Sequence, residues 1–216
     1  MRAAPSPAAF ERNDILVQPD QERDLLMACQ QGDMSAYARL VYLYQDIALR
    51  TAYLMTNDRQ AAEDIAQNAF LNALRSIHRF DVARPFRPWF LTILTNEARM
   101  FLRRQRRTVA EALDASLPDD GAPMLTRLIE ADERARIRDA LAALAEPYRT
   151  AAVLYYYNDL SVDEVAQVTN CRPGTVKSRL FTARARLRDA LALGKPLPSP
   201  ASDTREERMA FGDAPG

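Results

Sequence analysis

The stretch SVDEVAQVTNCRPGTVKSRLFTARARLRDA, residues 161–190, carries the strongest local structural signal in the chain. Ser161 and Glu164 have the spacing of a capping box, in which each side chain accepts a hydrogen bond from the backbone N–H of the other residue. Asn170 can adopt the left-handed conformation that ends a helix, and the Pro-Gly pair that follows it sharpens the turn. The stretch therefore predicts a short capped helix, a tight turn and a second, longer helix.

The second helix of this stretch has an apolar side and a basic side. Its apolar residues recur at steps of three and four, as expected for a buried face: they are Val176, Leu180, Ala183, Leu187 and Ala190. In a helix-turn-helix, the second helix enters the DNA major groove and its first turns meet the base edges. The alternative is a solvated face on an ordinary bundle helix, but such faces mix charges of both signs. Residues 171–188 contain six basic residues and no acid, which favours DNA binding.

Charge is segregated along the whole chain although the totals balance, with 29 basic and 29 acidic residues. Residues 75–107 hold nine arginines against two acids, whereas residues 109–133 hold seven acids and one arginine. A neutral average alone argues against nucleic-acid binding. Two basic blocks separated by an acidic one instead indicate two DNA-facing surfaces joined by a solvated linker.

Helical periodicity without strand-like alternation predicts an all-α fold of two small helical domains joined by a flexible linker. Asn57-Asp58 separates two helical patterns in the first domain, residues 79–88 predict a loop, and Pro88 suits the start of a helix. We expect the two domains to move independently. The predicted segments are a disordered extension (1–20), the first helical domain (21–107), an acidic linker (108–131), the helix-turn-helix domain (132–194) and a disordered tail (195–216).

Residue types give little support to metal, membrane or enzyme chemistry. Cys29 and Cys171 form no CxxC pair and His78 is the only histidine, so we expect no metal site and no structural disulfide. No apolar run has the length of a membrane span, and the N-terminal residues lack the apolar core of a signal peptide, so we predict a cytoplasmic protein without membrane insertion. Neither a Gly-rich phosphate loop nor a catalytic constellation is present, so we expect no enzymatic activity, no catalytic residues, no cofactor and no small-molecule substrate.

The motifs resemble a known family. The second half is similar to region four of the sigma-70 family of RNA polymerase sigma factors, which recognises the promoter −35 element. The similar segments are ALAALAEPYRTAAVLYYYNDL (140–160), LSVDEVAQVTN (160–170) and PGTVKSRLFTARARLRDAL (173–191). In the first half, AAEDIAQNAFLNALRSIHRF (61–80) resembles the region-two helix that docks on the polymerase, and RPFRPWFLTILTNEARMFLRRQRR (84–107) resembles the segment that melts and captures the −10 element.

The similarity covers roughly residues 22–107 and 132–192, with the two regions in the order typical of the family. Nothing resembles regions one or three of the larger factors, which places the chain with the extracytoplasmic-function (ECF) group. The resemblance implies a factor that binds RNA polymerase core, through the clamp helices of the largest subunit and the flap of the second-largest. It also implies recognition of −35 and −10 promoter DNA, assistance in melting, and control by an anti-sigma protein.

The resemblance assigns residues to three surfaces. The −35 contacts are Arg172, Thr175, Lys177, Ser178, Arg179 and Arg184. The −10 and melting contacts are Arg79, Arg84, Phe86, Arg87, Asn96, Arg99, Arg103 and Arg104. The polymerase-docking contacts are Glu63, Asp64, Gln67 and Asn68. The two acids among them are also favourable near a helix N-terminus, whatever their function.

Some alternatives stay open at the level of sequence. A stand-alone helix-turn-helix regulator would use the same recognition helix, although such regulators usually bind as dimers. Trp89 and Phe90 are best explained by core packing, whereas Phe86 is as compatible with exposure as with burial. Arginines near Arg104 suit a helix C-terminus, but four of them exceed what capping requires, which favours phosphate contact.

Overall fold

The computed structural model describes residues 19–112 and 129–193, which form eight α-helices and no β-strand. The helices are α1 (Pro19–Gln30), α2 (Met34–Thr56), α3 (Arg59–Ser76), α4 (Phe86–Ala112), α5 (Ile129–Ala142), α6 (Glu146–Ala152), α7 (Val162–Thr169) and α8 (Pro173–Leu193). A 3₁₀ turn spans Ile77–Arg79 and a π-helical turn spans Val153–Tyr157. The all-α prediction is confirmed. Apart from residues 19 and 20, the segments 1–20 and 195–216 that were predicted to be disordered lie outside the described residues.

Short polar side chains set the helix ends in the first half of the fold, which comprises α1 to α4. Asp33 caps α2 by accepting hydrogen bonds from the backbone N–H groups of Ser35 at 2.8 Å and Ala36 at 3.1 Å. Asn57 ends α2 in the left-handed conformation with φ of 56°, and Asp58 caps α3. The break predicted at Asn57-Asp58 is confirmed, because each residue satisfies backbone groups that a helix end leaves without partners.

The core of the first half combines small residues on α3 with large aromatic residues on α4. The buried side of α3 is rich in alanine, so the neighbouring helices can approach it closely. The fully buried Phe90 of α4 stacks on Phe70 of α3, with ring centroids 4.7 Å apart, and Tyr44 of α2 meets Phe86 edge to face at 5.0 Å. Helix α4 begins at Phe86, so Pro88 lies in the first turn, where a backbone N–H has no helical partner.

The second half, α5 to α8, contains the predicted helix-turn-helix. Ser161 and Glu164 form both hydrogen bonds of the capping box: the Glu164 N–H donates to Ser161 Oγ at 3.2 Å, and the Ser161 N–H donates to the Glu164 carboxylate at 2.8 Å. Asn170 ends α7 with φ of 50°. Val165 of α7 and Val176 of α8 are fully buried. The prediction for this stretch is confirmed, and α8 begins at Pro173.

Helices extend into both ends of the segment predicted as a linker, residues 108–131. Helix α4 continues to Ala112 and α5 begins at Ile129. The middle of the segment, residues 113–128, lies outside the described residues. The acidic composition predicted a solvated connection but not the continuation of α4 to Ala112, which adds one further turn to that helix.

The two halves pack against each other, contrary to the expectation of independent movement. Helix α7 lies on α4, and the π-helical turn lies on α2 together with α5 and α6. Buried residues from both halves form one continuous apolar cluster. Linker composition indicates how freely a tether moves, but it carries no information about the surfaces that the tether connects, so the sequence did not predict this interface.

Within the described residues, no helix is both long enough and apolar enough to cross a membrane.

The Ser161→Ala variant should lower the free energy of unfolding by about 1 kcal/mol, because it removes the N-cap of α7 and half of the capping box. Urea unfolding followed by circular dichroism measures the change. Ser178→Ala, an exposed position within α8, is the matched control and should change stability much less. Equal unfolding free energies for Ser161→Ala and the unaltered chain would contradict the stabilising role of the cap.

Candidate functional site

Helix α8 presents the predicted recognition surface to solvent. Val176, Leu180 and Ala183 lie on its buried side, with Val176 and Ala183 fully buried. The fold thereby turns the polar residues of the first turns outward. The exposed members of the predicted −35 set are Arg172, Thr175, Lys177, Ser178 and Arg184. A helix with a packed back and a basic, exposed front has the geometry needed to enter a major groove.

Arg179 differs from the other predicted −35 residues because it is half-buried. Its Nη1 lies 3.7 Å from Sγ of Cys171, which is also 3.1 Å from Oγ1 of Thr169 at the end of α7. Cys171 therefore places Arg179 against the turn between the two helices. Nothing in the sequence indicated this contact, since a cysteine eight residues before an arginine has no characteristic pattern.

A cleft of about 770 Å³ lies beside the loop between the 3₁₀ turn and α4. Arg79, Arg84 and Trp89 line it on the side of the first half, and Glu164 and Gln167 of α7 line it on the other side. Two arginines and an aromatic ring at a cleft can contact a phosphate backbone and stack on a base. Of the predicted −10 residues, this cleft brings together only Arg79 and Arg84.

The loop that carries these arginines is anchored from α1. The side-chain amide of Gln30 donates to the carbonyl oxygens of Ile77 at 2.9 Å and Phe80 at 2.6 Å. The ring of Phe80 is buried against Trp89, with centroids 4.8 Å apart. These contacts hold in place the backbone of the loop that carries Arg79 and Arg84. Gln30 belongs to the site as a support that the sequence did not single out.

Phe86 belongs to the core and not to the surface of the cleft. Its side chain is 1% exposed and packs against Tyr44, Phe80 and Phe90. The expected contact of Phe86 with DNA is therefore wrong. Its ring packs in the core beneath the loop and is not available to stack on a base. Trp89, which the sequence assigned to the core, is half-buried and reaches the cleft, whereas Phe90 is fully buried as predicted.

The remaining predicted −10 residues lie along α4 and differ in exposure. Asn96, Arg103 and Arg104 are exposed, and Arg87 is half-buried. Arg99 forms an ion pair with Glu146 of α6, with Nε and Oε1 2.8 Å apart. The side chains of this pair are only 19% and 23% exposed. Arg99 therefore faces the second half of the protein in this arrangement, and its charge is already neutralised.

The predicted docking residues form one exposed patch on α3. Glu63, Asp64, Gln67 and Asn68 are all exposed, and the opposite side of the helix is buried. A second cleft of about 460 Å³ adjoins the patch, lined by Leu49 and Arg50 of α2 and by Glu63, among others. The sequence pattern did not assign α2 to this surface, although Leu49 is an apolar residue exposed on that helix.

Metal chemistry has no support in the part of the chain that the structure describes. In residues 19–112 and 129–193, no group of three or more His, Cys, Asp or Glu side chains lies close enough to hold an ion.

Two family models match the chain. Residues 40–108 match the model described as Sigma-70 region 2, and residues 134–187 match the model described as Sigma-70, region 4. The first match covers most of α2 to α4, with the docking patch and the side of the cleft that the first half forms. The second covers the helix-turn-helix.

Curated relatives cover most of the chain. The RNA polymerase sigma-H factor of Pseudomonas aeruginosa is 34% identical over 184 residues, which is 80% of this chain and 94% of the relative. The ECF RNA polymerase sigma-E factor of Haemophilus influenzae is 32% identical over 175 residues, which is 76% of this chain and 91% of the relative.

Solved structures show the same fold. CnrH in complex with the cytosolic domain of CnrY matches with a TM-score of 0.62 at 24% identity, covering 81% of this chain and 99% of the other. The sigma factor RpoE of Bartonella quintana, in complex with the anti-sigma factor NepR, matches with a TM-score of 0.61 at 23% identity, covering 74% of this chain and 98% of the other.

Identity to curated relatives above 30% over three quarters of the chain, together with both family matches in order, decides the classification. The chain belongs to the sigma-70 family, in its extracytoplasmic-function group, and is an RNA polymerase sigma factor acting in transcription initiation and not an enzyme.

Proposed function

We propose that this sigma factor directs polymerase by reading the −35 element with α8 and the −10 element with the cleft and the exposed side of α4. The observation that carries the proposal is the presence of two separate basic surfaces, one on each half of the fold. Each surface stands on a helix whose opposite side is buried. Two basic surfaces, one on each half, suit the recognition of two separate DNA elements.

At the −35 element, the exposed residues of the first turns of α8 meet base edges while Arg172 and Arg184 contact the backbone. Lys177 and Ser178 project from the exposed front of the helix. Arg179 is held at the turn by Cys171, so its guanidinium enters the groove with little loss of rotamer freedom. Lysine and arginine favour the O6 and N7 acceptors of guanine in the major groove.

At the −10 element, the cleft accepts single-stranded promoter DNA. Arg79 and Arg84 contact the phosphates, and the half-buried ring of Trp89 offers a face on which an unpaired base stacks. Arg103 and Arg104 continue the basic track along α4. Holding unpaired bases favours the melted state, which is how the protein assists promoter opening.

Polymerase binding is assigned to the acidic and amide patch on α3. Glu63, Asp64, Gln67 and Asn68 meet the clamp helices of the largest subunit, with the adjoining cleft between α2 and α3 extending that surface. The ion pair between Arg59 and Glu63 is exposed and contributes little to stability, so Glu63 is available to a partner. The second half contacts the flap of the second-largest subunit.

An anti-sigma protein is proposed as a further partner. The similar sigma factor RpoE of Bartonella quintana was solved in complex with the anti-sigma factor NepR, and CnrH was solved with the cytosolic domain of CnrY. We place the protein in the cytoplasm, because its polymerase partner acts on chromosomal DNA.

A binding experiment distinguishes a sigma factor from the alternative, a stand-alone helix-turn-helix regulator. A sigma factor should need core polymerase to bind a duplex promoter tightly, whereas a regulator should bind the duplex alone. Tight, sequence-specific binding by the purified chain without polymerase would favour the alternative.

Arg179→Ala should reduce transcription from a cognate promoter by about 5- to 150-fold, equivalent to about 1–3 kcal/mol for a lost base contact. The measurement is run-off transcription with core polymerase on templates that differ in the −35 sequence. The loss should depend on that sequence. Arg188→Ala, exposed beyond the first turns of α8, is the control. Equal loss on every template would make Arg179 a phosphate contact, and no loss would remove it from the interface.

Replacing Arg103 and Arg104 with glutamine should leave binding of core polymerase intact and reduce open-complex formation. Opening should also become less sensitive to salt, with the logarithmic slope falling by about 0.7 to 0.9 for each lost phosphate contact. Asp64→Arg combined with Gln67→Ala should instead weaken the association with core before DNA is added. Core binding by fluorescence anisotropy and promoter opening by permanganate footprinting separate the two effects.

The control for the arginine pair is Arg39→Gln, an exposed charge on α2 outside both surfaces. If the arginine pair abolished core binding while the residual complex opened promoters normally, the division of the first half into DNA and polymerase surfaces would be wrong.

A further inference from the structure

One side of α4 carries a continuous row of accessible side chains that begins at the cleft. Trp89 and Thr92 line the cleft. Asn96, Met100 and Arg103 are exposed and follow Thr92 at steps of four, four and three residues. Residues at these steps lie on the same side of a helix. This row, the α4 stripe, joins the cleft to the basic track along α4, so one DNA molecule can contact all of it.

Met100 is an exposed aliphatic residue in an otherwise polar part of the α4 stripe. It is 42% exposed. Asn96 lies one turn before it, and Arg103 and Arg104 lie one turn after it, all of them exposed. A lone apolar residue on a protein surface is ordinary. Here, however, its neighbours along the helix are residues assigned to the −10 element, so DNA that contacts those residues also covers Met100.

The acid nearest to Met100 in the sequence is held away from the α4 stripe. Glu97 is the only acid among residues 86–108. It is half-buried, and its Oε1 accepts a hydrogen bond from Nδ2 of Asn72 on α3 at 2.9 Å. This contact holds the carboxylate on the α3 side of α4. The surface around Met100 therefore combines apolar and cationic groups, which suits a DNA groove bordered by phosphates.

Thymine is the base whose major-groove edge offers an apolar group. It presents the C5 methyl beside the O4 acceptor, and apolar side chains contact that methyl, whereas asparagine forms two hydrogen bonds with N6 and N7 of adenine. Asn96 and Met100 are about 6 Å apart along the helix axis. That separation is about two base steps of about 3.4 Å each. The two side chains therefore suit A·T pairs that lie close together.

Met100 lies far enough from the cleft to meet paired DNA. It follows Trp89 by eleven residues, which is about 16 Å along the helix axis. An unpaired base stacked on Trp89 is thus about five base steps away from the base that Met100 faces. In paired DNA the thymine methyl lies in the major groove, where a helix can reach it.

We propose that Met100 is a specificity-determining residue, which selects thymine in the paired DNA beside the melted segment by contact with its 5-methyl group. The proposal rests on the proposed function of the exposed side of α4. It divides the labour within the α4 stripe, because Met100 then reads a base whereas Arg103 contacts phosphates, which carry no direct sequence information.

The test compares thymine with uracil, which lacks only the 5-methyl group. The probe is a dye-labelled duplex promoter of a gene whose transcripts rise when this factor is overproduced. Single thymines of the −10 region are replaced by uracil on either strand. Fluorescence anisotropy measures the affinity of the factor in complex with core polymerase. We expect one position at which uracil weakens binding about fourfold, which corresponds to one methyl group that is no longer buried.

The Met100→Ala variant should bind the thymine promoter about fourfold more weakly and should no longer distinguish thymine from uracil at that position. Met100→Leu keeps an apolar side chain and should retain most of the preference for thymine. The matched control is Met34→Ala, an exposed methionine on α2 outside the surfaces described above, which should keep the full preference.

Three results would overturn the proposal. The first is an unaltered protein that binds the uracil promoters as tightly as the thymine promoter at every position. The second is a Met100→Ala variant that keeps the preference for thymine. The third is a Met100→Ala variant that loses affinity for core polymerase in the absence of DNA, because Met100 would then belong to a protein interface.

Replacing Arg103 and Arg104 with glutamine separates failure of this proposal from failure of the proposed function. The arginine pair should bind thymine and uracil promoters with equally reduced affinity, because phosphate contacts do not distinguish the two bases. If the pair weakens promoter binding but Met100→Ala keeps the preference for thymine, only the role of Met100 is wrong. If the pair leaves promoter affinity unchanged, α4 does not face the −10 DNA and both proposals are wrong.

Discussion

The buried exchange of hydrogen bonds between Thr51 and Asn158 fixes how the two halves of this sigma factor meet. Apolar packing between the halves tolerates small shifts, whereas the hydrogen bonds between Thr51 and Asn158 form only while the two side chains stay within reach. That alignment places Glu146 against Arg99 and brings α7 to the wall of the cleft. The exposure of the basic surfaces therefore depends on this alignment, which the shared apolar cluster and the Arg99–Glu146 ion pair also support.

Charge segregation lets a chain with no net charge bind a polyanion. The arginines of α4 and the basic front of α8 are carried by helices whose other sides are buried, so the fold keeps each basic surface continuous. The four proposed docking residues on α3 include no basic side chain, so the proposed polymerase and DNA surfaces of this half differ in charge. Where the halves pack together, Glu146 of the second half neutralises Arg99 of the first.

The elements that the sequence predicted correctly are those whose causes are local. The capping box at Ser161 and Glu164, the helix ends at Asn57 and Asn170, and the amphipathic faces of α3 and α8 all depend on residues within a few positions of each other. The contacts that it did not predict join residues far apart: Arg99 to Glu146, 47 positions away, and Thr51 to Asn158, 107 positions away. Phe86 shows the same limit, because its burial depends on Tyr44 from another helix and not on its polar neighbours in the loop.

The central claim is that one chain carries two DNA surfaces, on halves that pack together in this structure and that would have to read two separate promoter elements in the polymerase complex. The most direct measurement is the distance between spin labels at Gln60 on α3 and Lys177 on α8, by double electron–electron resonance, in a variant with Cys29 and Cys171 replaced. The account predicts one narrow, short distance for the free protein and a longer distance after core polymerase is added. A broad distribution in the free protein, or the same short distance in the polymerase complex, would contradict it.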